Sequence, residues 1–340
     1  MSLRFIKKRQ RKKNVSFWLI AFLFFLCLLY FFFSRGGSFG GAEEEIKIRE
    51  DIVRLKVWEA TSGQLLEMGL ESYVVGVVAA EMPASFSLEA LKAQAVAART
   101  YALERLKVPD PRVKALHQEA DLSSDPAINQ AWISTAEMKR RWGQWNYARH
   151  LGKIRQAVEE TVGQVLIYNG QLIDPLYHAS CGGKETENSG EVWQFDVPYL
   201  QKVSCTGHQD RHQTTTQFFT LETCDRLLGT TLSTLPASKF QQDKKVIQVT
   251  TKSSTGRVKE MLLGGKSFSG VVIRTQLGLP STRFTCQKEE KGVSFISNGY
   301  GHGVGMCQYG ANDLAASGQD FREILQHYYT GAQIGHLQVE

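Results

Sequence analysis

The chain has 340 residues, 42% apolar and 22% charged, with a formal charge of +6. That balance excludes a disordered chain and a disulfide-scaffolded miniprotein, and the length accommodates one large domain or two small ones. The charge is unevenly placed: residues 1–35 hold eight bases and no acid, so of 40 bases and 34 acids the other 305 residues carry 32 and 34, a net of −2. Nucleic-acid binding by a positive folded face loses its support, because the excess sits in a tail.

Residues 1–14 read as a basic cytoplasmic tail, and residues 15–33 as an uncharged apolar run long enough to cross most of a hydrocarbon core as a helix. Seven bases precede this run and only Arg35 follows it closely, so the positive-inside bias places the N-terminus in the cytoplasm and the remainder outside the cell membrane. A cleaved signal peptide has a shorter apolar core and a small-residue cleavage site, which Ser34-Arg35-Gly36 matches weakly; the run reads as an uncleaved single-pass anchor. Residues 34–45 then form a spacer, and residues 46–340 one ectodomain.

Residues 52–58 and 64–68 flank a Thr-Ser-Gly turn and predict a hairpin. A small, apolar helix follows from about Glu71 and stops at Glu81-Met82-Pro83, because proline disfavours helix for the residue before it. Ser87 is placed to cap a second helix over 88–106, whose Leu88, Leu91, Ala95, Ala98 and Ala102 recur at helical spacing and form one face. Residues 111–131 read as a polar excursion, and 135–161 as a helix broken near Gly152. Asn169-Gly170 between residues 164–168 and 171–177 is a strong hairpin signal. Residues 180–189 read as a loop; strands are expected at 215–220, 246–251, 257–263 and 293–297, and helices at 221–228, 269–277, 306–317 and 320–329. The mixture is α+β without a solenoid repeat.

Cys27 lies in the apolar run, leaving Cys181, Cys205, Cys224, Cys286 and Cys307 outside the membrane, an odd number in a disulfide-permissive setting. His178-Ala-Ser-Cys181 and Cys205-Thr-Gly-His208 are two nitrogen/sulfur pairs that can furnish a structural zinc shell; a Cys181–Cys205 disulfide with two unrelated histidines is the equal alternative. Three of these ligands plus water would instead describe a zinc-dependent hydrolase. Cys307 reads as a buried apolar residue.

Glu81 ends an apolar segment, where burial would raise its pKa toward that of a general acid; a glutamate at a helix end also commonly points into water. Residues 298–305 carry glycine at 299, 301, 303 and 305, so this backbone can adopt positive φ or approach a ligand closely, and His302 at its centre either touches substrate or fixes the loop.

The run from Ser72 through Glu81-Met82-Pro83 to Arg99-Thr100-Tyr101 resembles the signature of the stage II sporulation protein D family, which includes the amidase enhancers. The segment Tyr177-His-Ala-Ser-Cys-Gly-Gly-Lys184 to Trp193, with Val197-Pro-Tyr-Leu200, resembles its second motif, and Gly299-Tyr-Gly-His-Gly-Val-Gly-Met-Cys-Gln-Tyr-Gly-Ala311 its third. Cys181 and Cys205 depart from the serine-type pattern of some relatives. The resemblance implies a lytic transglycosylase acting in sporulation, at engulfment. Such an enzyme cuts peptidoglycan between N-acetylmuramic acid and N-acetylglucosamine, leaves a 1,6-anhydro end, and works on strands denuded of stem peptides by a partner amidase or endopeptidase. It assigns catalysis to Glu81 without a required cofactor, and points to Arg99, Tyr177, His178, Ser180, Lys184 and His302 for the sugar groove. Arg99 also reads as half of a surface ion pair, and Trp193 as a sugar platform or a core residue. A non-catalytic enhancer that activates a peptidoglycan amidase is the alternative function.

Overall fold

The computed structural model describes residues 53–337, apart from 194, 206 and 209–211. The expected tail, anchor and spacer lie outside the described residues, among which no helix is long and apolar enough to cross a membrane. The described fold is α+β.

Strands β1 (Arg54–Glu59) and β2 (Gln64–Gly69) form the expected hairpin, and helix α1 (Leu70–Glu81) follows directly. After Pro83 comes α2 (Leu88–Lys107), then α3 (Pro111–Leu116) and β3 (Leu122–Ser123), which pairs parallel with β1. The expected polar excursion thus contains a short helix and strand; Asp110 caps α3 by accepting from Arg112 N, and Pro111 opens it. The chain continues through α4 (Thr135–Glu159), β4 (Gln164–Tyr168), β5 (Gln171–Leu172), β6 (Tyr177–His178) and α5 (Ser189–Trp193). The break in α4 falls at Gly143 (φ 70°, ψ 160°) instead of Gly152, since only the first of these glycines takes left-handed backbone.

A second group of elements has its own core. It comprises β7 (Thr215–Thr220), α6 (Leu221–Leu228), α7 (Ala237–Gln242), β8 (Ile247–Lys252), β9 (Val258–Leu263), β10 (Lys266–Ser269), α8 (Gly270–Leu277), β11 (Phe284–Lys288) and β12 (Gly292–Ser297). Two antiparallel sheets, β10-β9-β8 and β11-β12-β7, enclose Phe240, Met261, Ile273, Phe284 and Phe295, with Cys224 buried among them. The chain then returns to the first core as β13 (Met306–Cys307), α9 (Gln308–Ala316), α10 (Phe321–Tyr328) and β14 (Gln333–His336), which pairs with β4. The helix expected from residue 306 starts two residues later because Met306 and Cys307 pair in parallel with Tyr177 and His178.

Helix α2 is the centre of the first core. A single buried face was expected, yet Ala90, Leu91, Ala93, Ala95, Val96, Ala97, Ala98 and Ala102 are all inaccessible, with α1, α4, α9, α10 and β4 around them. Small side chains let neighbours approach on every side, and a helix enclosed this way needs no polar face. The expectation that Arg99 lines the sugar groove is overturned by the same enclosure. Its guanidinium is inaccessible and pairs with Glu71, Nε to Oε1 at 2.7 Å and Nη2 to Oε2 at 2.6 Å, while Nη1 donates to Gln164 O at 3.1 Å. It joins α1, α2 and β4 in the interior and cannot reach a substrate.

Removing one partner of this pair strands the other charge in the core. Glu71→Gln is expected to cost about 3–5 kcal/mol in urea unfolding, and the double replacement Glu71→Leu/Arg99→Met markedly less. Equal losses for the two would contradict the pairing.

Candidate active site

Glu81 closes α1, and Met82 turns the chain out with extended backbone. The carboxylate is half-buried, and its Oε1 accepts from Ala131 N at 2.8 Å. Burial pushes its carboxyl up to about 7, against the bond from Ala131 N–H and the neighbouring polar side chains of Gln308 and Tyr177, which favour the anion. Solvation of a free helix end is therefore replaced by a fitted polar shell. Among the described residues, no second carboxylate belongs to that shell.

Three distant segments build it. Tyr177, on β6, donates its hydroxyl to Gln130 Oε1 at 2.7 Å. Gln130 Nε2 in turn reaches Ala98 O at 3.1 Å on α2. Gln308, the first residue of α9, is buried with its Nε2 3.2 Å from Gln94 Oε1. The glycine loop takes the anticipated positive φ at Gly299, Gly301, Gly303 and Gly305 and is joined by isolated bridges to Ser180, Glu187 and Ser281. His302 supports this shell from behind: Nε2 donates to Tyr177 O at 2.9 Å and Nδ1 accepts from Val304 N at 3.2 Å. Burial lowers its pKa to about 3, so the ring is neutral, and it fixes the loop and the Tyr177 backbone.

The other expected groove residues separate. Ser180 is inaccessible, its Oγ accepting from Gly182 N at 3.0 Å, and it pairs with Tyr300 through the backbone. His178 is buried with Nδ1 donating to Val304 O at 3.1 Å. Lys184 is exposed. Of the expected polar set, only Tyr177 reaches the Glu81 carboxylate. Gln308, Gln130 and the Ala131 N–H went unrecognised, although Gln308 lies inside the third motif. An uncharged glutamine carries no sequence signal of chemistry, and a backbone N–H carries none at all.

Cys181, Cys205, His208 and Cys307 place their ligand atoms within 4.8 Å of one another, all four buried. His208 Nε2 lies 3.3 Å from both Cys181 Sγ and Cys307 Sγ. His178, expected in the ligand set, is replaced by Cys307, because β6 turns its ring to Val304 while the parallel pairing brings Cys307 alongside. Cys307 is thus more than an apolar residue. The alternative Cys181–Cys205 disulfide is not formed, and all three thiols are free. Tetrahedral zinc with bonds of about 2.0–2.3 Å sets its ligands about 3.5–3.8 Å apart, which these separations accommodate. Backbone N–H groups of Cys181 and Gly310 point at Cys307 Sγ at 3.3 and 3.4 Å, while burial and the neighbouring sulfurs push the Cys307 thiol up, so without a cation the negative charge of the cluster falls on Cys181. Hydrogen bonds from neighbouring thiols and imidazoles hold Cys181 far below the ordinary thiol range.

An α+β domain with one shielded glutamate at a helix end and a nearby cysteine/histidine cluster is the class that fold and site define. The Stage II sporulation protein family matches residues 59–168. Stage II sporulation protein D of Bacillus subtilis (strain 168) is 36% identical over 83% of this chain and 79% of its own length, and that of Bacillus amyloliquefaciens 35% identical over 86% and 81%. The amidase enhancer of Bacillus subtilis (strain 168) is 30% identical over 76% of this chain and 40% of its own length. The chain belongs to the stage II sporulation protein D family.

The raised Glu81 pKa has a thermodynamic signature. With the folded value near 7 and the ordinary one at 4.5, stability is fully present below about 4.5 and lost as pH rises through about 7. Glu81→Gln, which cannot ionise, is expected to raise Tm above wild type at pH 8 and change it little at pH 5. Equal shifts at both pH values in thermal unfolding would sink the assignment.

Proposed function

We propose that this chain is a membrane-anchored lytic transglycosylase that cleaves peptidoglycan glycan strands during sporulation, with Glu81 as its catalytic residue. The observation that carries this reading is the single carboxylate poised near pH 7 without a second acid in its shell. A hydrolase ordinarily uses two carboxylates, whereas intramolecular attack needs one. The protonated Glu81 gives its proton to the glycosidic oxygen as the C1–O bond to N-acetylmuramic acid breaks, leaving positive charge on the ring. The resulting carboxylate accepts the proton of that sugar's C6 hydroxyl as O6 bonds to C1 and closes the 1,6-anhydro ring. A pKa near 7 serves both directions of transfer. Ala131 N–H holds one carboxyl oxygen, and the polar side chains of Tyr177 and Gln308 lie beside the group.

Cys181, Cys205, His208 and Cys307 suit a structural zinc, and four protein ligands leave no open position for water. A metal held by these four residues would cross-link the segments that carry Tyr177 and Gln308. A peptidoglycan amidase or endopeptidase partner, which supplies denuded strands, fits the same reading, and the amidase-enhancer relative supports an amidase in particular.

Incubating the detergent-solubilised full chain with denuded strands is expected to release 1,6-anhydro ends, detected by mass spectrometry, and Glu81→Gln to lower the rate by about 10²–10⁴-fold. Reducing ends would mean hydrolysis and overturn the mechanism; no cleavage with stimulation of an added amidase would select the enhancer. Metal analysis tests the cluster separately. One zinc per chain, lost in Cys307→Ser and retained in His178→Gln, is the expected pattern; retention in both would discard this ligand set.

A further inference from the structure

The kinked helix α4 carries a surface that the Glu81 chemistry does not use. Residues 137–149 contain Lys139, Arg140, Arg141 and Arg149 against the single acid Glu137, a local charge of +3. Residues 36–340 sum to −2, so the rest of that region carries −5. All four bases are exposed. Glu137 pairs with both Arg140 (2.6 Å) and Arg141 (2.7 Å), and one carboxylate cannot neutralise two guanidiniums. The elbow is held in shape by Trp142, which meets the His150 ring edge-on at 5.4 Å, and by Lys139, whose Nζ lies 5.1 Å from the Tyr147 ring centroid. Trp145, just beyond the Gly143 kink, is 96% exposed, the most exposed large apolar side chain among the described residues.

Both arms of the elbow are mounted on the Glu81 loop. Ala131, three residues before the Ser134 cap of α4, donates to Glu81, and Lys153 on the far arm donates to Phe86 O and, at 3.4 Å, to Ser85 O. The near arm, from Thr135 to the kink, spans about 12 Å at helical rise. A polymer crossing Glu81 would therefore meet this rim several sugar rings from the cut.

We infer that the elbow around Trp145 is an accessory subsite for an anionic glycan, with a sugar ring stacking on Trp145 and the sugar carboxylates facing Arg140, Arg141 and Arg149. The inference rests on the peptidoglycan reading above, since removing a stem peptide frees one lactyl carboxylate on every muramic acid. Charge complementarity and continuity with the Glu81 loop argue for this occupant. Gln144 and Asn146, which flank Trp145, offer hydrogen bonds to hydroxyls and acetamido groups; a membrane-interfacial helix would expose further apolar residues beside its tryptophan, whereas Trp142 and Tyr147 are half-buried against His150 and Lys139.

The test uses the detergent-solubilised full chain carrying Glu81→Gln, so that strands are bound and not cut. The probes are denuded strands and the same strands with their carboxylates converted to methylamides. Trp145→Ala and the pair Arg140→Gln/Arg149→Gln are each expected to weaken binding of carboxylate strands roughly fivefold, as the loss of one aromatic stack or of exposed charge contacts implies. The arginine variant and its parent should bind methylamide strands equally, and added salt should weaken the parent more than the arginine variant. In the Glu81 enzyme, kcat on a tetrasaccharide too short to reach the elbow should be unchanged by either substitution. Unaltered affinity in both variants, or equal affinity of the parent for both strand types, overturns the inference. So does quenching of Trp145, taken as wild type minus Trp145→Phe, by brominated phosphatidylglycerol in reconstituted vesicles with unchanged strand binding. Elbow-dependent binding in a protein that releases no anhydro ends would retain this subsite and discard the reaction proposed above.

Discussion

Tyr177 and His178 lie in parallel beside Met306 and Cys307, a ladder of two residues a side joining segments well over a hundred positions apart. So short a ladder holds itself poorly against the conformational entropy of the loops it closes. Side-chain contacts reinforce it: Cys307 Sγ accepts the N–H of Cys181, His208 sits against both sulfurs, and His302 donates to the Tyr177 carbonyl. The ladder sets Tyr177 and Gln308 on the Glu81 carboxylate, so the acid's shell inherits its precision from the thiol cluster behind it.

Burial works with opposite consequences at the two ends of α1. Glu71, near the start, is nearly inaccessible and remains tolerable because the Arg99 guanidinium meets both its oxygens. Glu81, at the end, receives only neutral partners, and its anion is correspondingly disfavoured. A charged partner at Glu81 would hold the carboxyl ionised at neutral pH and remove its capacity to donate a proton. The two acids lie on one helix, and the neighbours each one meets separate an ion-paired carboxylate from one whose proton is held up to about pH 7.

The second core is attached along a polar seam. Glu187, inaccessible, accepts from Ser253 Oγ at 2.6 Å and from Thr255, with Arg257 Nε 3.8 Å away. Arg283 Nη1 donates to Cys181 O at 2.9 Å. Residues of the β7–β12 region thereby brace the loop that carries the first thiol, which links their packing to the site without placing them in it.

Much of the secondary structure was legible because it is local: proline after Glu81, Asn-Gly at 169–170, alternation in β7 and the amphipathic turn of α6 each act over a few residues. The motifs also pointed to Glu81 and Tyr177, which the tertiary structure brings side by side. Arg99 was misassigned because a sequence spacing contains no partner, and its partner Glu71 lies on another helix. His178 was placed among the metal ligands because H-x-x-C suggests joint ligation, yet β6 sends its ring to Val304 while Cys307 arrives from the far end of the chain. Sequence by itself determined which elements form and where an acid could be shielded, since propensity and hydrophobic pattern act at short range. Which groups face that acid, which sulfurs meet and how far its proton affinity rises were decided only by the tertiary structure, because desolvation and ligand geometry depend on atoms brought together from distant parts of the chain.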